Sequence, residues 1–360
     1  MDKTVMLGMS GGVDSSAAAL ILKNDGWDVT GVTLRLRRDE FSAEQRDGGC
    51  CTLDDVEDAR RVAYKLGIPH HVFNFTDIFS EKVVDYFVDE YLHGRTPNPC
   101  IACNRYIKFD AMLRRAQVLG ISHIATGHYA RVEYDESRGR WLLKRSMSPK
   151  DQSYVLYNLT QEQLSRTLFP LEDRPKEETR ALAEEAGLCV AKKSDSQEIC
   201  FVDDNDYAGF IQRYTGMCMP EGNFVDLEGK PLGKHKGIIH YTIGQRKGLG
   251  VSFGQHMYVC GINADDNTII LGPEGSQMAS VLIAEDLNFI SIPALEKPME
   301  VQAKPRYQAK PAKALITPYG ENQVRVEFEA PQRSLTPGQA VVFYDGDIVV
   351  GGGTIAKVMR

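Results

Sequence analysis

Residues 7–16 of the chain, LGMSGGVDSS, form a stretch rich in glycine and serine between two apolar segments. The segment before it, 4–7, has the pattern of a short buried strand, and the segment after it, 17–22, has the pattern of a helix. A glycine turn between a strand and a helix exposes backbone N–H groups and a helix N-terminus, and both attract phosphate. Asp14 fits such an anion site only if it holds a Mg²⁺ ion that the phosphates share. The stretch therefore predicts a strand–turn–helix unit that binds a nucleotide phosphate.

This turn is neither of the two common nucleotide-binding loops. It lacks the lysine of G-x-x-x-x-G-K-S/T and the spacing of G-x-G-x-x-G. It resembles the S-G-G-x-D-S loop of the ATP-pyrophosphatase superfamily, and that resemblance implies ATP binding, transfer of AMP and release of pyrophosphate. A plain Gly-Ser turn entering a helix is the alternative, which the six matched positions and the strand–turn–helix context argue against.

Composition predicts a soluble intracellular protein of several domains. A length of 360 residues suggests two or three domains, and 42% hydrophobic residues are enough for a sizeable core. The apolar runs are too short to span a bilayer, and the N-terminus has no signal-peptide pattern, so we expect a cytoplasmic protein with no membrane partner. Eight cysteines in such a chain are packing, catalytic or metal-binding residues rather than a disulfide framework.

The net charge of −7 argues against a general nucleic-acid coat. Two segments nevertheless carry several basic residues and no acidic ones, 230–250 and 301–315. Local basic segments on an acidic protein fit a polyanion bound at one place, although solvated loops with chance charge explain them equally well.

The pattern of elements predicts an α/β fold with three parts. Strands and helices alternate in the first half, which predicts a doubly wound, mostly parallel sheet with the phosphate loop beyond the carboxyl end of its first strand. A hairpin is expected at 130–145, a helix at 104–119 and a strand at 237–241. From about residue 280 the pattern is that of a small β-barrel. We expect a catalytic domain at 1–205, like an adenine nucleotide alpha hydrolase, a mixed central domain at 206–280 that contacts the substrate, and a barrel at 281–360.

Two cysteine-containing stretches have no equivalent in a simple nucleotide-binding fold. Residues 96–104, TPNPCIACN, predict an extended loop that two prolines hold and that ends where a helix begins, a position that stabilises a thiolate. Residues 195–201, DSQEICF, place Cys200 between Ile199 and Phe201, and a cysteine between apolar residues is more often part of a core than reactive.

Along its whole length the chain resembles the tRNA-specific 2-thiouridylases, which make 2-thiouridine at the wobble position of certain tRNAs. The matching segments, in order along the chain, are 8–15, 98–104, 126–129, 150–154, 199–201 and 241–246. The phosphate loop alone is compatible with GMP synthetases, NAD synthetases and other ATP-pyrophosphatases. The joint occurrence of all six segments is what points to the thiouridylases.

The resemblance implies a mechanism with ATP and Mg²⁺ as cofactors and tRNA as the partner. AMP is transferred to the C2 oxygen of uridine, which makes that oxygen a leaving group. Cys200 carries sulfur as a persulfide that it receives from a cysteine desulfurase or a sulfur-relay protein. Cys103 attacks either the base or the persulfide, and a Cys103–Cys200 disulfide then remains to be reduced.

The resemblance also implies binding residues. Those for ATP are Gly8, Met9, Ser10, Gly11, Gly12, Val13, Asp14, Ser15, Leu34 and Gly127. Those for the anticodon stem-loop and its flipped base are Asn98, Pro99, Cys100, His128, Lys150, Asp151, Gln152, Arg306, Tyr307 and Gln339. Without the resemblance, His128 would be interpreted as a hydrogen-bonded strand-end residue, Tyr307 as barrel packing and Lys150 as a solvated charge.

Cys100 departs from the family pattern, in which many members have aspartate at this position. It creates the motif Cys100-x-x-Cys103, and with Cys200 this gives three thiolates, the ligand set of a 4Fe–4S cluster with one open iron. Cluster-based sulfur transfer is therefore an alternative to the persulfide, whereas zinc lacks a fourth ligand. Cys50 and Cys51 have no predicted role.

Two further functions remain open. A ligase or amidotransferase acting on a small acid would need neither Cys103 and Cys200 nor the basic barrel. A tRNA-binding protein without activity is disfavoured because the phosphate-loop residues are all present.

Overall fold

The computed structural model describes residues 3–37, 53–194, 199–202, 205–250 and 254–359. Cys50, Cys51 and most of the 195–201 stretch lie outside these residues. The strands are β1 (Thr4–Gly8), β2 (Asp28–Arg35), β3 (His70–Asn74), β4 (His123–Ala125), β5 (Ala130–Asp135), β6 (Arg140–Arg145), β7 (Thr167–Leu168), β8 (Gly222–Val225), β9 (Pro231–His235), β10 (Met257–Asn263), β11 (Thr268–Pro273), β12 (Met278–Phe289), β13 (Met299–Lys304), β14 (Ala312–Tyr319), β15 (Gln323–Arg333), β16 (Ala340–Asp345) and β17 (Ile348–Met359).

Two of the longer helices contain π-helical segments. The helices are α1 (Val13–Asn24), α2 (Leu53–Leu66), α3 (Thr76–Phe79), α4 (Tyr86–Leu92), α5 (Pro99–Cys103), α6 (Met112–Val118), α7 (Gln161–Ser165), α8 (Lys176–Glu185) and α9 (Tyr207–Thr215). Ser80–Asp85 joins α3 to α4 and Asn104–Ala111 joins α5 to α6, so two continuous helices run over 76–92 and 99–118. No described helix is both long enough and apolar enough to cross a membrane.

The first domain contains a five-stranded parallel sheet in the order β3-β2-β1-β4-β7. Side chains of β1 alternate between the two faces of this sheet, as the period of a strand requires. Val5 and Leu7 pack with residues of α1 and α2, whereas Met6 packs on the opposite face with the 76–92 and 99–118 helices. The predicted doubly wound sheet, with helices on both faces, is confirmed.

The middle of the chain forms a four-stranded sheet in the order β10-β11-β8-β9. The predicted strand at 237–241 is wrong, because Ile238–His240 form a 3₁₀ helix. Gly237 has φ +107°, which turns the chain, and the neighbouring residues Ile238 and Ile239 are both buried. Two adjacent apolar residues that are both buried are compatible with a short 3₁₀ turn as well as with a strand, so the sequence pattern does not distinguish the two.

The last domain is a closed barrel of six strands. They follow the order β12-β15-β14-β13-β16-β17, and β12 also pairs with β17, which closes the barrel. The hairpin predicted at 130–145 is confirmed as β5 and β6. Its partner was not predicted: β6 pairs with β17 through Lys144 and Ile348, so the hairpin extends the barrel's sheet.

Candidate active site

The phosphate loop joins β1 to α1 at the carboxyl edge of the parallel sheet. The Met9 N–H donates to the Val32 carbonyl, which continues the strand pairing, and the Ser10 N–H donates to Ser15 Oγ at 3.2 Å. Gly12 is the N-cap of α1 and supplies no side-chain oxygen to cap the first turn. Among the described residues no side chain caps the first N–H groups of α1, which point out of the helix end in the arrangement that binds an anion.

Two glycines of the predicted ATP site are required by packing on this loop. Gly11 has φ +71°, and a Cβ there would lie 2.7 Å from Asp55 Cα at the start of α2. A Cβ on Gly127 would lie 2.7 Å from the Ser15 nitrogen and 2.8 Å from the Asp14 carbonyl carbon. At both positions the absence of a Cβ lets the phosphate loop pack directly against a neighbouring backbone segment. Leu34, the remaining predicted ATP residue, is 8% exposed and packs in the core beside the loop.

Asp14 is neutralised by a lysine that the sequence analysis missed. Lys176 Nζ lies 2.7 Å and 2.8 Å from the two carboxylate oxygens of Asp14, and the Tyr129 hydroxyl donates to the same carboxylate at 2.8 Å. Lys176 is the first residue of α8 and is 8% exposed. A cation is unfavourable at a helix N-terminus, and a proline often precedes the first turn of a helix. A lysine directly after Pro175 is therefore the sequence signal that Lys176 has an acidic partner elsewhere in the chain.

The magnesium hypothesis for Asp14 does not fit this arrangement of side chains. Both carboxylate oxygens already face the Lys176 ammonium group, and a divalent cation beside it would be repelled. No group of three His, Cys, Asp or Glu side chains among the described residues forms a metal-sized site. Lys176 explains the acidic residue in the phosphate loop without a protein-bound ion.

The helix that carries Cys100 and Cys103 begins five residues earlier than predicted. Asn98 is its N-cap and accepts a hydrogen bond from the Ile101 N–H at 3.3 Å, and Pro99 occupies the first position. Two prolines favour an extended loop, yet a proline directly after an Asn cap is a strong signal for the start of a helix. Because it starts early, Cys103 lies in the second turn and is 8% exposed, whereas Cys100 lies at the exposed end.

Cys103 and Cys200 contact one hydrophobic cluster. Cys103, Leu34 and Phe201 belong to that cluster, and the half-buried Cys200 packs against it. The Phe201 ring meets the rings of Phe79 and Phe87 edge to face at 5.8 Å and 5.2 Å between centroids. Arg37 Nη1, just beyond β2, lies 3.5 Å from the Cys200 carbonyl oxygen. These contacts hold Cys200 at the carboxyl edge of the sheet.

The iron–sulfur hypothesis does not fit the described positions of its ligands. Cys100 is exposed and its charge acts on Tyr307 of the last domain, whereas Cys103 is buried in the apolar cluster. Cys100, Cys103 and Cys200 are all described, and they do not form a three-ligand group. The described positions of these cysteines therefore do not support sulfur transfer from an iron–sulfur cluster.

Three residues predicted to contact tRNA use their side chains inside the protein. The Asp151 carboxylate accepts from the N–H groups of Ser146 and Ser153, both at 3.1 Å. Gln152 exchanges two hydrogen bonds with the backbone of Tyr129. His128 is 9% exposed, bonds to Thr126 at 2.8 Å, and has its pKa held well below the usual value by burial. In this conformation all three side chains make hydrogen bonds within the 126–153 region. His128 is buried, whereas Asp151 and Gln152 are half-buried and Asp151 lines an open cleft.

Lys150, Arg306 and Tyr307 are exposed beside an open cleft of about 740 Å³. Lys304 Nζ lies 5.2 Å from the ring centre of Tyr307 and 5.5 Å from that of Tyr154. Burial against these rings lowers the pKa of Lys304 and raises that of Tyr307. The cleft lies between the 145–151 segment and the barrel, and it combines cationic groups with an aromatic face, as sites for nucleic-acid loops do.

Gln339 does not face this cleft with its amide. Its Nε2 donates to the carbonyl oxygens of Thr96 at 2.9 Å and Pro97 at 3.2 Å, immediately before the cysteine-bearing helix.

The sheet, the loop and the barrel together define a class: a HUP-type α/β nucleotide-binding domain followed by two β domains. Family models match all three parts, described as the tRNA methyl transferase HUP domain (residues 3–204), the tRNA methyl transferase PRC-barrel domain (208–273) and the aminomethyltransferase β-barrel domain (279–355).

Full-length relatives give the family. The tRNA-specific 2-thiouridylase MnmA of Clostridioides difficile is 57% identical over 99% of each chain, and that of Acetivibrio thermocellus is 58% identical over 98% of this chain and 99% of its own. The chain belongs to the tRNA-specific 2-thiouridylase family. A solved 4-thiouridine synthetase–RNA complex with bound ATP overlaps 56% of this chain and 46% of its own at 20% identity, with a TM-score of 0.37, which is too weak for a comparison of sites.

Proposed function

We propose that the protein is a tRNA sulfurtransferase that uses ATP to convert the wobble uridine of tRNA to 2-thiouridine. The observation that carries this proposal is that Cys103 and Cys200 pack against the same apolar cluster as Leu34 of β2, the strand whose carboxyl end pairs with the start of the phosphate loop. A nucleotide-activating loop and two sulfur-bearing side chains at the same sheet edge match the two halves of such a reaction. Identity of 54–58% to full-length 2-thiouridylases supports the same reaction.

In the first half-reaction, the C2 oxygen of uridine attacks the α-phosphorus of ATP, and pyrophosphate leaves. The N-terminus of α1 and the hydroxyls of Ser10 and Ser15 bind the departing phosphates. Lys176, held over the loop by Asp14, supplies positive charge beside them once ATP is present. Mg²⁺ would arrive bound to ATP, since the described residues offer no group of three metal-ligating side chains.

In the second half-reaction, sulfur replaces AMP at C2. A cysteine desulfurase or a sulfur-relay protein delivers sulfane sulfur to Cys200, giving a persulfide. The Cys103 thiolate attacks the Cys200 sulfur, the S–S bond breaks, and hydrosulfide leaves and displaces AMP from C2. The two cysteines then share a disulfide, and an external dithiol supplies the two electrons and protons that restore the thiols. A variant of this step, in which the terminal sulfur attacks C2 before Cys103 acts, gives the same products.

We propose that tRNA binds across the open cleft, with Lys150, Arg306 and Tyr307 against the anticodon stem-loop and the target base near Asn98, Pro99 and Cys100. The exposed, basic and aromatic surface supports this placement. Extruding a base from a loop costs little, because it is unpaired there.

The test separates the two half-reactions on one set of variants. We expect Cys103→Ser and Cys200→Ser to abolish 2-thiouridine while ATP-dependent release of pyrophosphate with tRNA persists. Lys176→Met is expected to reduce both by about 100-fold, since it removes charge at the developing pyrophosphate. Cys218→Ser, at an exposed site of the central region, is the matched control and is expected to behave as wild type.

The same preparations decide between sulfur donors. Protein purified without oxygen is assayed for iron and acid-labile sulfide and is then given persulfide and tRNA. Thiolation by iron-free protein supports the persulfide route. Iron that is present in wild type and lost in Cys100→Ala would overturn it, and pyrophosphate release that needs a small acid instead of tRNA would overturn the whole assignment.

A further inference from the structure

The segment Thr96-Pro97-Asn98-Pro99, here called the proline loop, leads into the cysteine helix at 99–118. Two of its four residues are prolines, which have no N–H to donate. The loop therefore cannot be held by pairing with a neighbouring strand, and other parts of the chain must bind its remaining polar groups.

The barrel binds those groups through one turn, residues 337–339. The Thr96 N–H donates to the Pro337 carbonyl at 2.9 Å. Gln339 Nε2 donates to the carbonyl oxygens of both Thr96 and Pro97. Three hydrogen bonds from one turn thus fix the backbone directly before Asn98, the residue that caps the cysteine helix.

This turn is itself held rigidly. The Gly338 N–H donates to the Ile355 carbonyl at 2.9 Å, and the Ile355 N–H donates to the Gln339 carbonyl at 2.8 Å, so the turn is anchored to β17. Gly338 has φ +88°, and a Cβ there would lie 2.9 Å from Glu90 Oε2 and 3.0 Å from the Thr96 nitrogen. The two domains meet here with no spare room.

We propose that Gln339 is a positioning residue that acts on Cys103 through the proline loop. Its amide fixes where the cysteine helix starts, and one turn later that start determines where the Cys103 sulfur lies relative to Cys200 and the base. The inference rests on the proposed role of Cys103 in sulfur transfer. A direct contact between Gln339 and tRNA would instead change the affinity for tRNA and leave the position of Cys103 unchanged.

The test uses the full-length protein with Gln339→Met, which keeps the length and removes the donor, and Gln339→Glu, which also places a carboxylate beside two carbonyls. Arg306→Gln, at an exposed position of the barrel, is the matched control. Thermal unfolding identifies the variants that fold, and one folded Gln339 variant is enough for the test. The first readout is the rate of Cys103 alkylation by iodoacetamide between pH 6 and 9, followed by mass spectrometry without tRNA or ATP; the second is kcat and KM for tRNA.

We expect the Gln339 variants to alkylate Cys103 about fivefold faster or more, with an altered pH profile, because the loop opens locally. Their kcat should fall about 10-fold to 100-fold with little change in KM, since small misplacement of a reacting group has effects of this size. Arg306→Gln should raise KM and leave the alkylation profile unchanged.

An unchanged Cys103 profile with a raised KM in both Gln339 variants would make Gln339 a tRNA contact and overturn the proposal. Failure of the proposed function has a different signature: wild type would not thiolate tRNA, yet alkylation would still report whether Gln339 positions Cys103.

Discussion

His70 is held in its neutral form at the start of β3. Thr33 Oγ1 donates its proton to the Met9 carbonyl, so at 2.9 Å it must accept from His70 Nε2. The other ring nitrogen, Nδ1, is buried with no hydrogen-bond partner among the described residues. Burial, with Arg60 and His71 nearby, lowers the pKa of His70 to about 4, against the weaker opposite effect of Glu57. Protonation would place a charged, unpaired N–H directly beneath the phosphate loop.

This geometry predicts a loss of stability on acidification. The folded pKa lies below the unfolded value of 6.5, so the unfolded chain binds the proton first, and the stabilisation present above pH 6.5 is lost as the pH falls towards 4. Between pH 7 and 4.5, the free energy of unfolding of wild type should fall by about 1–2 kcal/mol more than that of His70→Gln. This is less than the full pKa shift implies, because the half-buried ring is partly screened by solvent. Urea unfolding at several pH values measures this difference, and parallel curves for the two proteins would contradict it.

Single residues differ in how far the sequence predicts them. The phosphate-loop residues were found because their function requires them next to one another along the chain. Lys176 was missed because its partner Asp14 is 162 positions away. Asp151, Gln152 and His128 could be associated with the site through the family pattern, but whether their side chains face outward depends on packing that no local motif encodes.

At the scale of elements, the start of α2 and the phosphate loop form one packed unit. Gly11 approaches the Asp55 backbone, and the Asp55 carboxylate in turn binds Lys193 at 2.8 Å. Lys193 lies shortly before Cys200 in the chain and also binds Asp58 at 2.7 Å. The loop, the helix and the segment leading to Cys200 are therefore linked by direct contacts.

Replacing Gly11 should disturb this unit far more than replacing a comparable glycine. Gly26 has nearly the same conformation, φ +77° against +71°, but no atom of the described residues lies within 4 Å of its Cβ position. We expect Gly26→Ala to cost about 1 kcal/mol of left-handed strain, and Gly11→Ala to cost about 2 kcal/mol more because the Asp55 backbone must move. Urea unfolding and the affinity for ATP are the measurements. Equal losses in both variants would show that the close approach is unimportant.

Elements were predicted well where the pattern is local. The bounds of β1 and β3 lie within one residue of expectation, and those of α2 agree with it, since apolar periodicity and stop signals act within each element. The predicted start of the cysteine helix is five residues too late, because two prolines favour a loop unless the Asn98 cap between them is recognised. The strand at 237–241 was wrong because a short apolar pair between glycines has no periodicity to decide its structure.

At the scale of the whole molecule, two of the contacts between the first and last domains join segments that lie far apart in the chain. One is the pairing of β6 with β17, beside which the Arg145 N–H donates to the Asp347 carbonyl at 2.7 Å. The other is the 337–339 turn against residues 90–97. The pattern of elements predicts the three-part order of the chain, but neither contact could be predicted, since each joins segments about 200 residues or more apart that carry no mutual signature.

The second contact predicts that a change in the barrel loosens the cysteine helix. Gly338→Ala adds a methyl group within 3.1 Å of Glu90, Thr96 and Arg95, whereas Gly320→Ala, at a barrel turn with φ +55°, meets no atom closer than 3.7 Å. Amide hydrogen exchange of peptides covering 94–103 should become about tenfold faster in Gly338→Ala and stay unchanged in Gly320→Ala, because only the first substitution pushes the 337–339 turn away from residues 90–96. If Gly338→Ala instead speeds exchange within β16 and β17 alone, the strain is absorbed by the barrel. The proline loop would then be held by its own packing, and the barrel would have no influence on the position of Cys103.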